Sequence, residues 1–134
     1  MLTLVDTCVW SLALRRKTPP DHWSVSRLRE LIRDSEAEII GPIRQELLSG
    51  IRDRAVFERL REALQPFLDV GLVSEDYETA AEFSNLCRAK GIQGSPTDFL
   101  VCAVGWRRQF QILTTDEDFV RFAQVLPVSL ATEG

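Results

Sequence analysis

Four carboxylates, Asp6, Glu46, Asp98 and Asp116, fall where apolar segments give way to helix starts. Gathered at one edge of a parallel sheet, they would repel one another unless a cation neutralised them. An all-oxygen donor set of this kind suits Mg²⁺ or Mn²⁺, which bind a few carboxylates and keep waters. Such an ion lowers the pKa of a bound water and stabilises charge on a phosphoryl group during in-line attack. Each acid also has a purely structural explanation. Asp6 can cap the helix that follows it, and Ser95-Pro-Thr-Asp98 and Thr115-Asp-Glu-Asp118 both match capping boxes. Glu46 sits one turn into its helix, where the dipole mildly favours an acid. Capping alone predicts neither Glu46 nor a shared sheet edge, so Asp6 reads first as a ligand and second as a cap.

The elements that must position these acids follow from hydrophobic periodicity. Residues 2–5 read as a buried strand and 7–14 as a short helix. Val25, Leu28, Leu31 and Ile32 recur at helical spacing over 24–34, after a proline-bearing loop at 18–21. A second strand is predicted at 37–40, with Pro42 opening a helix that ends near Gly50. Glu46 in that helix is flanked by Ile43, Leu47 and Leu48, which sets it beside the sheet edge and facing inward. Residues 54–64 form a charged amphipathic helix stopped by Pro66, and 68–73 suit a third strand. Tyr77, Ala80, Phe83 and Cys87 line one face of the next helix, which Gly91 closes. Ser95-Pro96 opens a nearly all-apolar helix running through Trp106, taken as core. Residues 111–114 are the fourth strand, a short helix follows Thr115, and 127–130 suit a fifth strand. Strands alternating with helices imply an α/β fold: a mostly parallel, four- to five-stranded sheet with helices on both faces, in one domain spanning 1–134.

Composition narrows the function. The chain has 134 residues, 45% apolar and 27% charged, as expected of a globular protein rather than a disordered one. No apolar run reaches the roughly 20 residues that span a bilayer, and the N-terminus lacks a leader's basic and apolar regions. A cytoplasmic location is expected by default. Cys8, Cys87 and Cys102 form no C-x-x-C pair and read as reduced, packed thiols. His22 is the only histidine, which excludes chemistry needing two imidazoles. A phospho-acceptor receiver domain also places acids at strand ends, but it wants paired acids after the first strand and a late lysine. Asp6 stands alone and Lys90 is the last lysine. The net charge of −4 sits awkwardly with a nucleic-acid partner. A concentrated metal site and arginine clusters at Arg15-Arg16-Lys17, at 52–61 and at Arg107-Arg108 offset this.

Val5-Asp6-Thr7-Cys8-Val9-Trp10, Ile43-Arg-Gln-Glu46-Leu-Leu-Ser-Gly50, Thr97-Asp98-Phe-Leu-Val-Cys-Ala103 and Leu113-Thr-Thr-Asp116-Glu-Asp118-Phe119 resemble the PIN-domain ribonucleases, nearest the VapC-type toxins of toxin–antitoxin pairs. The order of acids, their intervals and the chain length all match. The resemblance implies an Mg²⁺- or Mn²⁺-dependent endoribonuclease leaving 5′-phosphates. Asp6, Glu46, Asp98 and Asp116 would bind metal and position the attacking water, with Asp118 contributing through water or as a cap. Thr114 or Thr115 would hydrogen-bond a ligating carboxylate. The family further implies a small antitoxin laid over the groove and a homodimer. A catalytically silent PIN-like module that binds RNA or protein is the alternative function.

Among the remaining polar and aromatic residues, Arg15 and Arg16 lie within reach of an RNA backbone near the acids, against the alternative of a solvated loop. Arg107-Arg108 reads as favourable charge at a helix C-terminus, and the arginines of 52–61 as an ion-paired, solvated face with Glu58 and Glu62. Trp10 and Trp23 read as core or partner contacts in preference to base platforms.

Overall fold

β1 (Thr3–Val5) lies between β2 (Ala37–Glu38) and β3 (Gln111–Leu113) in a parallel sheet of order β2-β1-β3, in a computed structural model that describes residues 1–134. Thr3 is in register with Ala37 and Gln111, and Val5 with Leu113. Thr3, Leu4 and Val5 are all buried, although successive side chains point to opposite faces, so β1 is covered on both sides. Seven helices flank the sheet: α1 (Thr7–Leu14), α2 (Trp23–Arg33), α3 (Gly41–Leu48), α4 (Arg54–Leu64), α5 (Ser74–Ala89), α6 (Pro96–Arg108) and α7 (Asp118–Ala123). The α/β class and the parallel direction are those the periodicity predicts. No helix is long and apolar enough to cross a membrane.

The sheet is narrower than the expected four to five strands. Residues 68–73 and 127–130 each supply a single parallel bridge, Asp69 to Ile39 at one edge and Leu130 to Ile112 at the other. Neither segment extends into a ladder. In the first, Leu68 is 85% exposed and only Val70 and Leu72 pack on the core, and Pro127 lacks the amide a longer second strand would use. The 37–40 strand likewise shortens to two ladder residues, with Ile39 in the bridge.

α5 and α6 form an antiparallel hairpin whose closest lock is ionic. Asp76 is fully buried at the start of α5, where one oxygen accepts the Val73 amide at 2.9 Å. Arg107 and Arg108, from the far end of α6, donate to its two oxygens at 2.6 and 2.7 Å. The two arginines therefore do more than complement a helix dipole, which was their expected role. Burial alone would raise the Asp76 pKa, but the Val73 amide and both guanidiniums outweigh it and hold the carboxyl below its usual range. Asp76, Ala80, Phe83 and Cys87 form the buried stripe at 3- and 4-residue spacing, so Tyr77, expected inside, is exposed. Trp106 also departs from its expected place in the core. The fully buried run of α6 ends at Gly105, and Trp106 packs one face on Phe83 with 42% of its surface in solvent.

Gly105 lets α6 approach β3 closely. A Cβ there would lie 3.0 Å from the buried Ile112 side chain, which would have to shift by a few tenths of an ångström to admit it.

Asp76→Asn removes the charge from a buried pair while its arginines remain, and is expected to destabilise the fold by about 3–5 kcal/mol. A depressed folded-state pKa gives stability that is present above the unfolded value near ~3.9 and lost as pH falls through the folded value. Urea melts between pH 7 and pH 3 should therefore show an acid limb that flattens in Asp76→Asn. An unchanged midpoint would mean that the ionic lock contributes nothing.

Candidate metal centre

Asp6 occupies the carboxyl end of β1, where its amide donates to the Leu113 carbonyl at 2.9 Å and so continues the pairing with β3. Its carboxylate caps α1 through the Thr7 amide at 2.8 Å. The other oxygen accepts the Thr114 hydroxyl at 2.8 Å and lies 3.6 Å from the Cys8 sulfur. Only 7% of Asp6 is exposed. Burial pushes its pKa up, the Thr114, Thr7 and Cys8 hydrogen bonds oppose that, and the nearby Asp98 charge raises it further. Trp10 anchors the first turn of α1 from below: it is fully buried, donates its indole N–H to the Val5 carbonyl at 3.1 Å, and packs edge-on against Phe67.

Asp98 heads α6 in the capping box the sequence predicts. Its amide donates to the Ser95 hydroxyl at 3.1 Å, and its Oδ2 accepts the Ser95 amide at 3.0 Å. One oxygen thus stays free of protein donors. Burial raises the Asp98 pKa most, the Ser95 bonds lower it, and the charges of Asp116 and Asp118 raise it again.

Asp116 follows β3 by three residues, and its amide donates to the Thr114 hydroxyl at 3.0 Å. Thr114 therefore joins Asp6 to the Asp116 loop through a single oxygen. The second expected capping box, from Thr115 to Asp118, is not formed. Asp116 itself accepts the Asp118 amide at 2.9 Å in an Asx turn, so the side-chain bond goes to a residue two positions on. Thr115 does not bond a carboxylate through its hydroxyl; its amide points to the Cys8 sulfur at 3.4 Å.

Asp98, Asp116 and Asp118 each bring an oxygen within 4.8 Å of the other two. The residue after the first of these acids and the residue after the last are buried phenylalanines. Phe99 and Phe119 both pack on Phe122, with ring centroids 5.0 and 5.1 Å away. Apolar packing therefore holds two like-charged loops together. Arg121 ion-pairs with Asp118, and no basic side chain forms an ion pair with Asp6, Asp98 or Asp116. Three half-buried carboxylates with one guanidinium, and the raised pKa of Asp98 and of the adjacent Asp6, fit a divalent cation such as Mg²⁺.

Glu46 is at the rim, not inside the cluster. It is exposed on α3 and accepts the Thr7 hydroxyl at 3.2 Å, which ties α3 to the start of α1. Arg15 and Arg16 are exposed just past α1, one helix length from Asp6. Trp10 belongs to the core and Trp23 is half-buried at the start of α2. Cys8 is a free thiol packed against the core, as expected, and it also contacts Asp6, Thr114 and the Thr115 amide. Its position two residues after Asp6, on the first turn of α1, is the only signal of this in the sequence.

Solved structures share this fold over nearly the whole chain. FitAcB from Neisseria gonorrhoeae aligns with 17% identity and a TM-score of 0.77 over 98% of this chain and 97% of that one. VapBC2 from Rickettsia felis, bound to a DNA fragment from its promoter, aligns with 16% identity and a TM-score of 0.78 over 98% of both chains. DNA-bound VapBC from Salmonella typhimurium aligns with 18% identity and a TM-score of 0.72 over the full length of both. No curated protein matches in sequence. The family model for the PIN domain matches residues 3–125, a span that holds β1, β3 and all four predicted acids, and the chain belongs to the PIN domain family.

Proposed function

We propose that this chain is a metal-dependent endoribonuclease and the toxin of a VapC-type toxin–antitoxin pair, acting as one PIN domain over 1–134. The observation that carries this reading is the convergence of Asp98, Asp116 and Asp118 within 4.8 Å, with the buried Asp6 beside them. Asp6, Asp98 and Asp116 would hold Mg²⁺, or Mn²⁺ in its place, with Asp118 contributing from the same loop. When bound, the cation supplies a water of lowered pKa and Lewis-acid stabilisation of the phosphoryl oxygens. Thr114 orients Asp6 by donating to its Oδ2, and that bond opposes the rise in pKa that burial imposes. Ser95 fixes one oxygen of Asp98 and leaves the other for the ion. Glu46, at the rim, is suited to orient an attacking water that approaches past Thr7.

The proposed substrate is RNA, cut to leave a 5′-phosphate, in the cytoplasm where such a target resides. A small antitoxin and a second copy of the chain are the proposed partners. The likeness to VapBC2 solved on promoter DNA supports the antitoxin.

Purified protein should cleave total RNA with Mg²⁺ or Mn²⁺ and stop when EDTA is added. Cleavage that continues in EDTA would remove the metal from the mechanism. Asp6→Asn should lower the rate by about 10²–10³-fold while its far-UV spectrum stays native, and full activity in that variant would exclude Asp6. A silent RNA- or protein-binding module would cleave nothing under any of these conditions.

The raised pKa values of Asp6 and Asp98 mean that both hold protons to higher pH than free carboxylates, and a cation must displace those protons. The Mg²⁺ concentration giving half-maximal thermal stabilisation should therefore rise as pH falls from neutral toward the carboxylate range. Asp98→Asn should lose the Mg²⁺-dependent shift in Tm. A shift that is pH-independent and survives in Asp98→Asn would place the ion elsewhere.

A further inference from the structure

Two arginine clusters that are far apart in sequence meet on one surface. The Arg59 guanidinium, on α4, donates to the Arg15 carbonyl at 3.1 Å, which brings the middle of α4 against the end of α1. Arg15, Arg16, Lys17, Arg52 and Arg59 are all exposed. None of the five forms an ion pair, unlike Arg54 and Arg61, which both engage Glu58. Segments 15–17 and 52–62 carry seven basic residues against Asp53, Glu58 and Glu62, a local +4 in a chain whose total is −4. Exposed like charges at this density, without carboxylate partners, raise a positive potential that favours a polyanion.

The place of this surface is set by the same elements that hold the acids. α1 begins beside Asp6 and spans eight residues, so its far end lies about 12 Å from the metal centre at ~1.5 Å per residue. α3, tied to α1 by the Thr7–Glu46 bond, leads within a few residues to Arg52. A stacked single strand advances about 3.4 Å per nucleotide, so 12 Å corresponds to three or four nucleotides.

We propose that Arg15, Arg16, Lys17, Arg52 and Arg59 form one phosphate-binding surface that grips single-stranded RNA three or four nucleotides from the cleaved bond. The inference rests on the nuclease reading for its substrate. The contact is to backbone phosphates, so it sets affinity and register without reading sequence. It also accounts for how a chain of net negative charge, with acids at its centre, can hold an anionic strand: the cations are segregated to one side of the site.

The test is binding of a fluorescently labelled, roughly 20-nucleotide single-stranded RNA, followed by anisotropy in EDTA over a range of KCl concentrations. Arg16→Ala/Lys17→Ala/Arg52→Ala is the informative variant, because none of the three side chains makes a polar contact within the protein and a matched thermal melt checks the fold. Each phosphate contact contributes about 0.7 to the slope of log K against log salt. Loss of three should lower that slope by about 2 and weaken binding at least tenfold at low salt. Arg16→Lys/Arg52→Lys should keep the slope, since a point charge suffices for phosphate. An unchanged slope and affinity in the alanine variant would overturn the proposal, and would be the result if the surface serves an acidic protein instead. Wild-type protein that fails to bind RNA at all would overturn it as well. Binding is read in EDTA and cleavage separately with Mg²⁺, so RNA that is bound in EDTA yet left uncut in Mg²⁺ would sink the nuclease and spare the surface. Cleavage with an unaltered slope would do the reverse.

Discussion

Parallel pairing of β1 with β3 is the constraint on which the rest of the site depends. The Asp6 amide on the Leu113 carbonyl extends that pairing one residue past β1, bringing Asp6 beside the chain that leads to Asp116. Thr114 then spans the gap with one hydroxyl, donating to the Asp6 carboxylate and accepting the Asp116 amide. With parallel strands, both carboxyl ends fall on one edge, and open α/β sheets place their chemistry there. Reversing either strand would send one acid to the opposite edge.

Bringing acids together opposes folding, because each raises the pKa of its neighbours and loses hydration. The compensation is apolar. Phe99 and Phe119 follow Asp98 and Asp118 directly, and both pack on Phe122 in the core. Burial of three rings holds the two loops where electrostatics alone would part them. At the opposite end of the helical hairpin, Asp76 between Arg107 and Arg108 is a paired buried charge, fully hydrogen-bonded and holding α6 from its C-terminus. Unpaired acids near one end and a paired acid at the other show charge put to two different uses within one hairpin.

Much of this was legible from one sequence. The α/β class follows from alternating apolar strands and amphipathic helices, and the Ser95–Asp98 box follows from local chemistry within four residues. Asp6 as a cap is equally local. The weaker expectations concerned edges and long-range partners. Residues 68–73 look like a strand by composition, but they form only a single bridge, with Leu68 and Val73 exposed while Val70 and Leu72 pack on the core. Trp106 looks like core by its apolar helix, but it lies one residue beyond the buried run. The 115–118 box fails because Asp116 takes the Asp118 amide first.

The sequence by itself determined the identities and order of the acids, the helices that carry them and the local caps, because those depend on neighbours within a turn or two. Only the tertiary structure decided that Asp98, Asp116 and Asp118 converge while Glu46 stays at the rim, that Cys8 touches Asp6, and that Asp76 meets two arginines 31 and 32 residues away. It also decided that Arg59 meets Arg15, 44 residues apart, which turns two ordinary charge runs into one basic surface. These are distances between residues remote in sequence, set by strand register and helix packing, and no local periodicity encodes them.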